Sequence, residues 1–256
     1  MKKNIFLKYV ITLFILLFAI LVQAQETDLL FKQADNFERG FKEQEALNIY
    51  RQIVVIDPAN SKALVKATEL SCSTGERQLN KNDKRLIFES ALAFAQRAVK
   101  ADNNSADAYC AVALASSKMA EVETENKKDV GFIRDTRLNA DKALKLNPDH
   151  AMANFIEGKW QYEMITLNWA KRFTAKIIYG GLPDADIEQA IKYLEKSRSL
   201  DPYFMLTSVI LAKAYRLYNR PAKEIEILSR VVKLPIRTAD DTALKAEAQK
   251  RLQELE

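Results

Sequence analysis

His150 is the only histidine in this chain of 256 residues, and Cys72 and Cys110 are its only cysteines. A single imidazole rules out a multi-histidine metal centre and leaves one candidate base for a Ser/His or Cys/His pair. His150 follows Pro148-Asp149 and reads as an exposed residue opening a helix, a poor position for a general base. Neither cysteine has a histidine or a second cysteine at metal-ligand spacing. The sequence contains no G-x-x-x-x-G-K-[ST] and no G-x-G-x-x-G, and Gly180-Gly181 is an isolated pair that reads as a helix stop. Carboxylates are plentiful but fall at the spacing of solvated helix faces. An enzyme built on a carboxylate pair is the remaining catalytic alternative. No catalytic residue, metal ligand or cofactor is assigned.

Residues suited to holding a partner are easier to find. Trp169, Phe173 and Ile177 recur at i, i+4 and i+8 on one helical face, while Lys171, Arg172 and Lys176 fall off it. A basic amphipathic stretch of this kind suits an anionic membrane surface or lipid, with Trp169, Arg172, Phe173 and Lys176 as contacts. The plainer expectation is that the aromatic stripe packs into the protein and the cations are solvated, because any packed helix needs such a stripe.

Helices must position these residues. The chain has 6 Gly and 6 Pro, about 2% each against ordinary shares of about 7% and 5%. Doubly wound sheets, β-sandwiches and barrels need Gly- and Pro-rich turns, so this poverty argues against all of them. With 48% apolar and 29% charged residues, the chain is also too hydrophobic for a disordered class. An all-α protein remains.

Internal repetition sharpens that reading. Val55-Ile56-Asp57-Pro58, Lys100-Ala101-Asp102-Asn103, Lys145-Leu146-Asn147-Pro148 and Ser199-Leu200-Asp201-Pro202 each follow an amphipathic run, and Leu234-Pro235 closes a fifth, at spacings of 45, 45, 54 and 33. Asp or Asn before Pro ends a helix, because Pro disfavours the α conformation for its predecessor. Small residues precede these marks at helical spacing: Ala34 and Ala46, then Ala91, Ala95 and Ala98, then Ala140 and Ala143, then Ala190 and Ser197. They let two antiparallel helices approach closely. The alignment sets Cys72 and Cys110 about seven residues apart along neighbouring helices, a rise of about 10 Å. That exceeds disulfide reach, so two buried free thiols are expected.

The first residues read as a targeting segment. Lys2, Lys3 and Lys8 form a basic head, Tyr9 to Val22 is a 14-residue apolar run, and Val22-Gln23-Ala24 offers a signal-peptidase site with cleavage after Ala24. The run is shorter than the ~20 residues that span a bilayer, although an uncleaved anchor is the alternative. Export would mean the periplasm of a Gram-negative bacterium, or secretion otherwise. Without residues 1–24 the formal charge drops from +5 to about +2, which gives no case for a nucleic-acid partner.

The repeats resemble the tetratricopeptide repeat, a helix–turn–helix unit. Leu30, Ala34, Phe37, Ala46, Tyr50 and Pro58 match its signature best, and Ala212, Tyr215 and Leu228 match the last unit in part. The resemblance implies an α-solenoid over residues 25–256: about five helix pairs, a C-terminal capping helix over 238–256 with Thr238 as its N-cap, and middle repeats lengthened in helices or loops. It also implies a concave surface on which Phe31, Val65, Cys110, Phe155 and Val209 form an apolar ladder. Asp35, Glu69, Leu114, Lys159 and Lys213 follow as a second row. Phe155, Lys159, Tyr162, Lys213 and Arg216 would then make the C-terminal half of the groove a basic surface for an anionic protein or peptide. Gly158-Lys159-Trp160, Leu167-Asn168-Trp169, Arg172, Ala175 and Tyr179-Gly180-Gly181-Leu182-Pro183 add a second likeness. Over about residues 105–255 the chain resembles the regulator of microtubule dynamics family. This implies a tetratricopeptide-like fold and, in one branch of the family, phospholipid binding. The expected activity is noncatalytic binding by an exported scaffold, with a lipid-binding or membrane-contact protein as the alternative.

Overall fold

The computed structural model describes residues 25–167, 172, 173, 176, 177, 181 and 184–255. The segment expected to be a signal peptide, and Trp169, lie outside the described residues. Among the described residues every regular element is a helix. The first repeat pairs α1 (residues 25–39) with α2 (Glu43–Ile56). The next two pair α3 (Ser61–Glu76) with α4 (Lys81–Ala101), and α5 (Ala106–Val122) with α6 (Asn126–Leu146). The last two pair α7 (Ala151–Thr166) with α8 (Ile187–Leu200), and α9 (Met205–Leu217) with α10 (Pro221–Val231), before α11 (Asp241–Gln253) caps the stack. Residues 172, 173, 176 and 177 are also helical. Among the described residues no helix is long and apolar enough to cross a membrane.

The recurring Asp/Asn marks share one local geometry. Asp57, Asp102, Asn147 and Asp201 leave the helical conformation while their N–H groups still donate to the carbonyls of Ile53, Ala98, Ala143 and Ser197. Each side-chain Oδ1 then accepts from the backbone N–H two residues on, at 2.9–3.2 Å. That is an Asx turn, in which the side chain replaces a backbone carbonyl and reverses the chain in a few residues. Asn60, Ser105 and His150 cap the helices that follow by accepting from Ala63, Ala108 and Ala153. His150 therefore opens a helix as expected, but its ring is largely covered and its Nε2 contacts Asp107 Oδ1 at 2.9 Å.

The extra length of the middle repeats has two sources. α4 and α6 run to 21 residues against 14 in α2, while the fourth repeat carries a long connection between α7 and α8. The alanines read as seam residues are buried completely, as is Tyr50. The Tyr50 hydroxyl donates to Glu38 at 2.6 Å and to Asp35 at 3.3 Å. Cys72 and Cys110 are buried free thiols. Burial pushes the Cys72 thiol up to about 12 and holds Cys110 well above its ordinary value.

The end of the stack differs from expectation. α11 starts at Asp241, with Asp240 as its N-cap residue. The Thr238 hydroxyl instead donates to Asp241, whose carboxylate also accepts the backbone N–H groups of Arg237 and Thr238. The Asp241 carboxylate holds the approach to α11, so Thr238 has no capping work to do. Ala248, Leu244 and Leu252 face the core.

Candidate binding groove

The first helices of successive repeats, α3, α5, α7 and α9, pack in a row, and α11 continues it against α9. Their inner faces bound a cavity of about 650 Å³, with the 237–247 segment as its far wall. Leu114, Met152, Phe155, Ile156, Trp160 and Phe204 contribute its apolar floor. Phe155 and Phe204 meet edge to face with centroids 5.1 Å apart. Trp160 is fixed by donating to the Ile133 carbonyl at 3.0 Å, and the Arg137 guanidinium lies 4.5 Å from its ring.

Above the floor the charges alternate. Lys118 joins Glu76 at 2.7 Å and Glu121 at 3.1 Å, and Lys159 joins Glu121 at 3.5 Å and Glu163 at 2.8 Å. Nearby, Lys66 lies between Glu38 at 3.2 Å and Glu69 at 3.4 Å. Arg77 reaches Asp240 at 3.1 Å and also pairs with Glu43. Burial opposes the charge on Lys118, but Glu121 and Glu76 outweigh it and raise the ammonium above its ordinary range. Burial raises the Glu121 carboxyl, partly offset by Lys118 and Lys159. It also raises Glu69, which Lys66 offsets only in part.

The residues expected to form a basic surface separate. Phe155 and Lys159 line the cavity; Tyr162, Lys213 and Arg216 do not. Tyr162 packs against the C-terminal core. Lys213 pairs with Glu247 of α11 at 2.9 Å, and Arg216 with Glu224 of α10 at 2.8 Å. Lys159 is itself bracketed by two carboxylates. The lining carries eight carboxylates against four cations, so the expected basic half is an acid-rich groove. The expected apolar ladder is also corrected. Val65, Cys110 and Val209 are buried and outside the lining, and only Phe155 of the ladder lines the cavity. Val65 belongs to the N-terminal core, and Cys110 and Val209 to the C-terminal one.

Sequence reasoning missed Lys118 and Glu163, which stand one turn beyond Leu114 and Lys159 on the same helices. Their spacing held the signal, since residues four apart share a face. It also missed the 237–247 wall, for which no local signal exists. In the long connection, Arg172, Phe173, Lys176 and Ile177 are all exposed, with Phe173 at 58% and Ile177 at 68%. The aromatic stripe therefore does not pack inward at those positions. Arg172 donates to the carbonyls of Met164, at 3.1 Å, and Ile165, satisfying the open end of α7.

Residues 30–256 match the family described as Regulator of microtubule dynamics protein 1-3. The chain belongs to this family. The match extends the likeness seen over residues 105–255 through the first two repeats. Regulator of microtubule dynamics protein 1 of Mus musculus is 25% identical over 170 residues, covering 66% of this chain and 55% of the mouse protein. Regulator of microtubule dynamics protein 3 of Rattus norvegicus is 25% identical over 236 residues, 91% of this chain and 49% of that protein. The chain spans about half the length of the curated relatives it matches. Among solved structures, a thermophilic tetratricopeptide-repeat protein of Thermus thermophilus superposes with a TM-score of 0.65. It shares 12% identity, and the match covers 87% of this chain and 98% of the Thermus chain, a likeness of fold. This member of the regulator of microtubule dynamics family is thus an all-α solenoid of tetratricopeptide-like repeats.

Proposed function

We propose that the protein is a noncatalytic scaffold that holds a polypeptide segment of a partner in its concave groove. The observation that carries this reading is the 650 Å³ cavity on the inner faces of α3, α5 and α7. Its size lies within the range of sites that enclose a ligand. Its apolar floor rewards burial of side chains, and its rim of paired charges supplies orientation. The basic, then apolar, then small-residue order of residues 1–24 supports action after export, which N-terminal sequencing of the mature protein tests by finding or not finding Gln25 first.

Site-specific photo-cross-linking tests the groove. A photoreactive side chain at Leu114, on the cavity wall, should yield adducts with a co-expressed partner polypeptide. The same group at Leu138, exposed on α6, should not. Equal adducts from both positions, or none from Leu114, would remove the groove as the binding surface.

The exposed pair Phe173 and Ile177, with Arg172 and Lys176 beside it, favours a second reading: docking of the long connection on an anionic membrane. Co-sedimentation with phosphatidylserine vesicles should weaken with salt and be lost in Phe173→Asp. Sedimentation indifferent to that substitution would exclude this surface.

A further inference from the structure

We infer that the groove's occupant is a segment presenting apolar side chains next to Lys or Arg. The inference rests on the scaffold reading and names the chemistry of its partner.

Three charge clusters at the groove, with Lys66 and Glu121 outside its lining, each carry one more carboxylate than cation. Glu38 and Glu69 share Lys66. Glu43 and Asp240 share Arg77. Glu76, Glu121 and Glu163 share Lys118 and Lys159. The excess is local, because the whole chain is +5. General attraction to the protein, at +5 for the full chain or about +2 without residues 1–24, would therefore favour an anion, whereas the groove's own excess favours a cation.

The geometry gives the excess a use. Arg77, Lys118 and Lys159 are each already held by two carboxylates, so at these three an arriving anion would have to break an existing pair to find a partner. The fourth lining cation, Arg237, lies over the Tyr203 ring at 5.1 Å. The carboxylates have capacity to spare, since each has about four acceptor positions. Glu163 and Glu76 are each more than a third exposed on their side chains. A guanidinium or ammonium can join them without displacing Lys118 or Lys159. An added cation would also relieve Glu69 and Glu121, whose carboxyls burial holds above their ordinary range. Charge alone would accept any polyamine. The apolar floor of Leu114, Met152, Phe155, Ile156 and Phe204 adds the second requirement, because its burial is worth energy only against apolar groups.

Fluorescence anisotropy with three labelled peptides tests both requirements: alternating Lys and Leu, the same with Glu for Lys, and the same with Ser for Leu. The Lys/Leu peptide should bind about tenfold more tightly than either other, a factor set by charge complementarity and apolar burial together. Its affinity should fall with salt. Glu163→Gln and Glu76→Gln should each weaken it by about two- to fivefold, the worth of one exposed ion pair. Glu226→Gln, which removes a partner of Lys223 outside the lining, should leave it unchanged. Equal binding of the Lys/Leu and Glu/Leu peptides, or of the Lys/Leu and Lys/Ser peptides, overturns the inference. So does failure of all three to bind. The Leu114 cross-linking result judges the scaffold reading separately, so the groove can be right while its chemistry is wrong.

Discussion

Arg77, just beyond the end of α3, and Asp240, just before α11, are separated by 163 residues in the chain and by 3.1 Å in the fold. A solenoid of stacked pairs has no need to bring its second repeat to its C-terminal cap. Here the curvature does so, and the concave face becomes a bounded cavity. α11 packs on α9 and α10 and makes no helix-level contact with α3 among the described residues. The pair is therefore a clasp across the mouth, and Arg77 is anchored on its other side by Glu43.

The clasp should govern width more than stability. Both side chains are at least a third exposed, and exposed ion pairs contribute about 0–1 kcal/mol. Asp240→Asn should lower the melting temperature only slightly while widening the distance between spin labels at Leu79 and Thr242. Raising salt on the wild type should produce the same widening. Labels that keep their separation in the variant would show that packing of α11, and not the ion pair, sets the mouth.

Gly158 should tolerate no side chain. A Cβ there would stand 2.7 Å from Leu194 Cγ, 3.0 Å from the Leu194 nitrogen and 3.1 Å from the Ala190 carbonyl oxygen. Two of those neighbours are backbone atoms, so α8 itself would have to move. Gly158→Ala gains up to about 1 kcal/mol in helix propensity. Overpacking of about 1–3 kcal/mol should exceed it and lower stability in denaturant melts. A variant as stable as wild type would show that the α7–α8 contact is looser than described.

The parts of this molecule legible in the sequence are those decided within a few residues. Asp57, Asp102, Asn147 and Asp201 make their turns with their own side chains, and Ala91, Ala95, Ala98, Ala140 and Ala143 form seams by being small. The groove chemistry was not legible, because it depends on how small rotations accumulate along the stack. Lys213 and Arg216 look like free cations on α9 until α10 and α11 bring Glu224 and Glu247 against them. Asp240 becomes a groove residue only because the whole stack curls. Position along one helix determines which face a residue takes, and superhelical curvature determines what faces it.

Acid should loosen the C-terminal cap through Glu224. Its side chain is 1% exposed and its Oε1 accepts from Arg216 and Arg251, each at 2.8 Å. Burial would raise the carboxyl, but bonds to Arg251 and Arg216 outweigh it and hold it below its ordinary 4.5. A depressed carboxyl contributes stability that is present above its unfolded value and lost as pH falls through the folded one. Glu224→Gln should cost on the order of 1–2 kcal/mol at pH 7, and the gap to wild type should close below about pH 4.5. A gap of constant size across that range would mean that Glu224 acts through packing alone.

Glu157 should behave with the opposite sign. It is 1% exposed in α7; its Oε1 accepts from Gln161 at 2.8 Å and lies 3.6 Å from Arg137, while its Oε2 has no hydrogen-bond partner among the described residues. Burial raises its carboxyl; Gln161 and Arg137 offset this in part, and Asp141 adds to it. Tyr193 of α8 faces the same group, its hydroxyl raised by burial and then by Glu157. A raised carboxyl binds a proton more readily in the folded state, so its contribution falls as pH rises from its unfolded value. Glu157→Gln keeps the shape, keeps an acceptor for Gln161 and removes the charge. It should match or exceed wild-type stability at pH 7 by up to about 1 kcal/mol, with the advantage vanishing at acid pH. The competing outcome is a variant less stable at pH 7 with a deficit that grows with pH. That would mean that Arg137, stacked on Trp160, holds Glu157 ionised and that the α6–α7 interface depends on the pair.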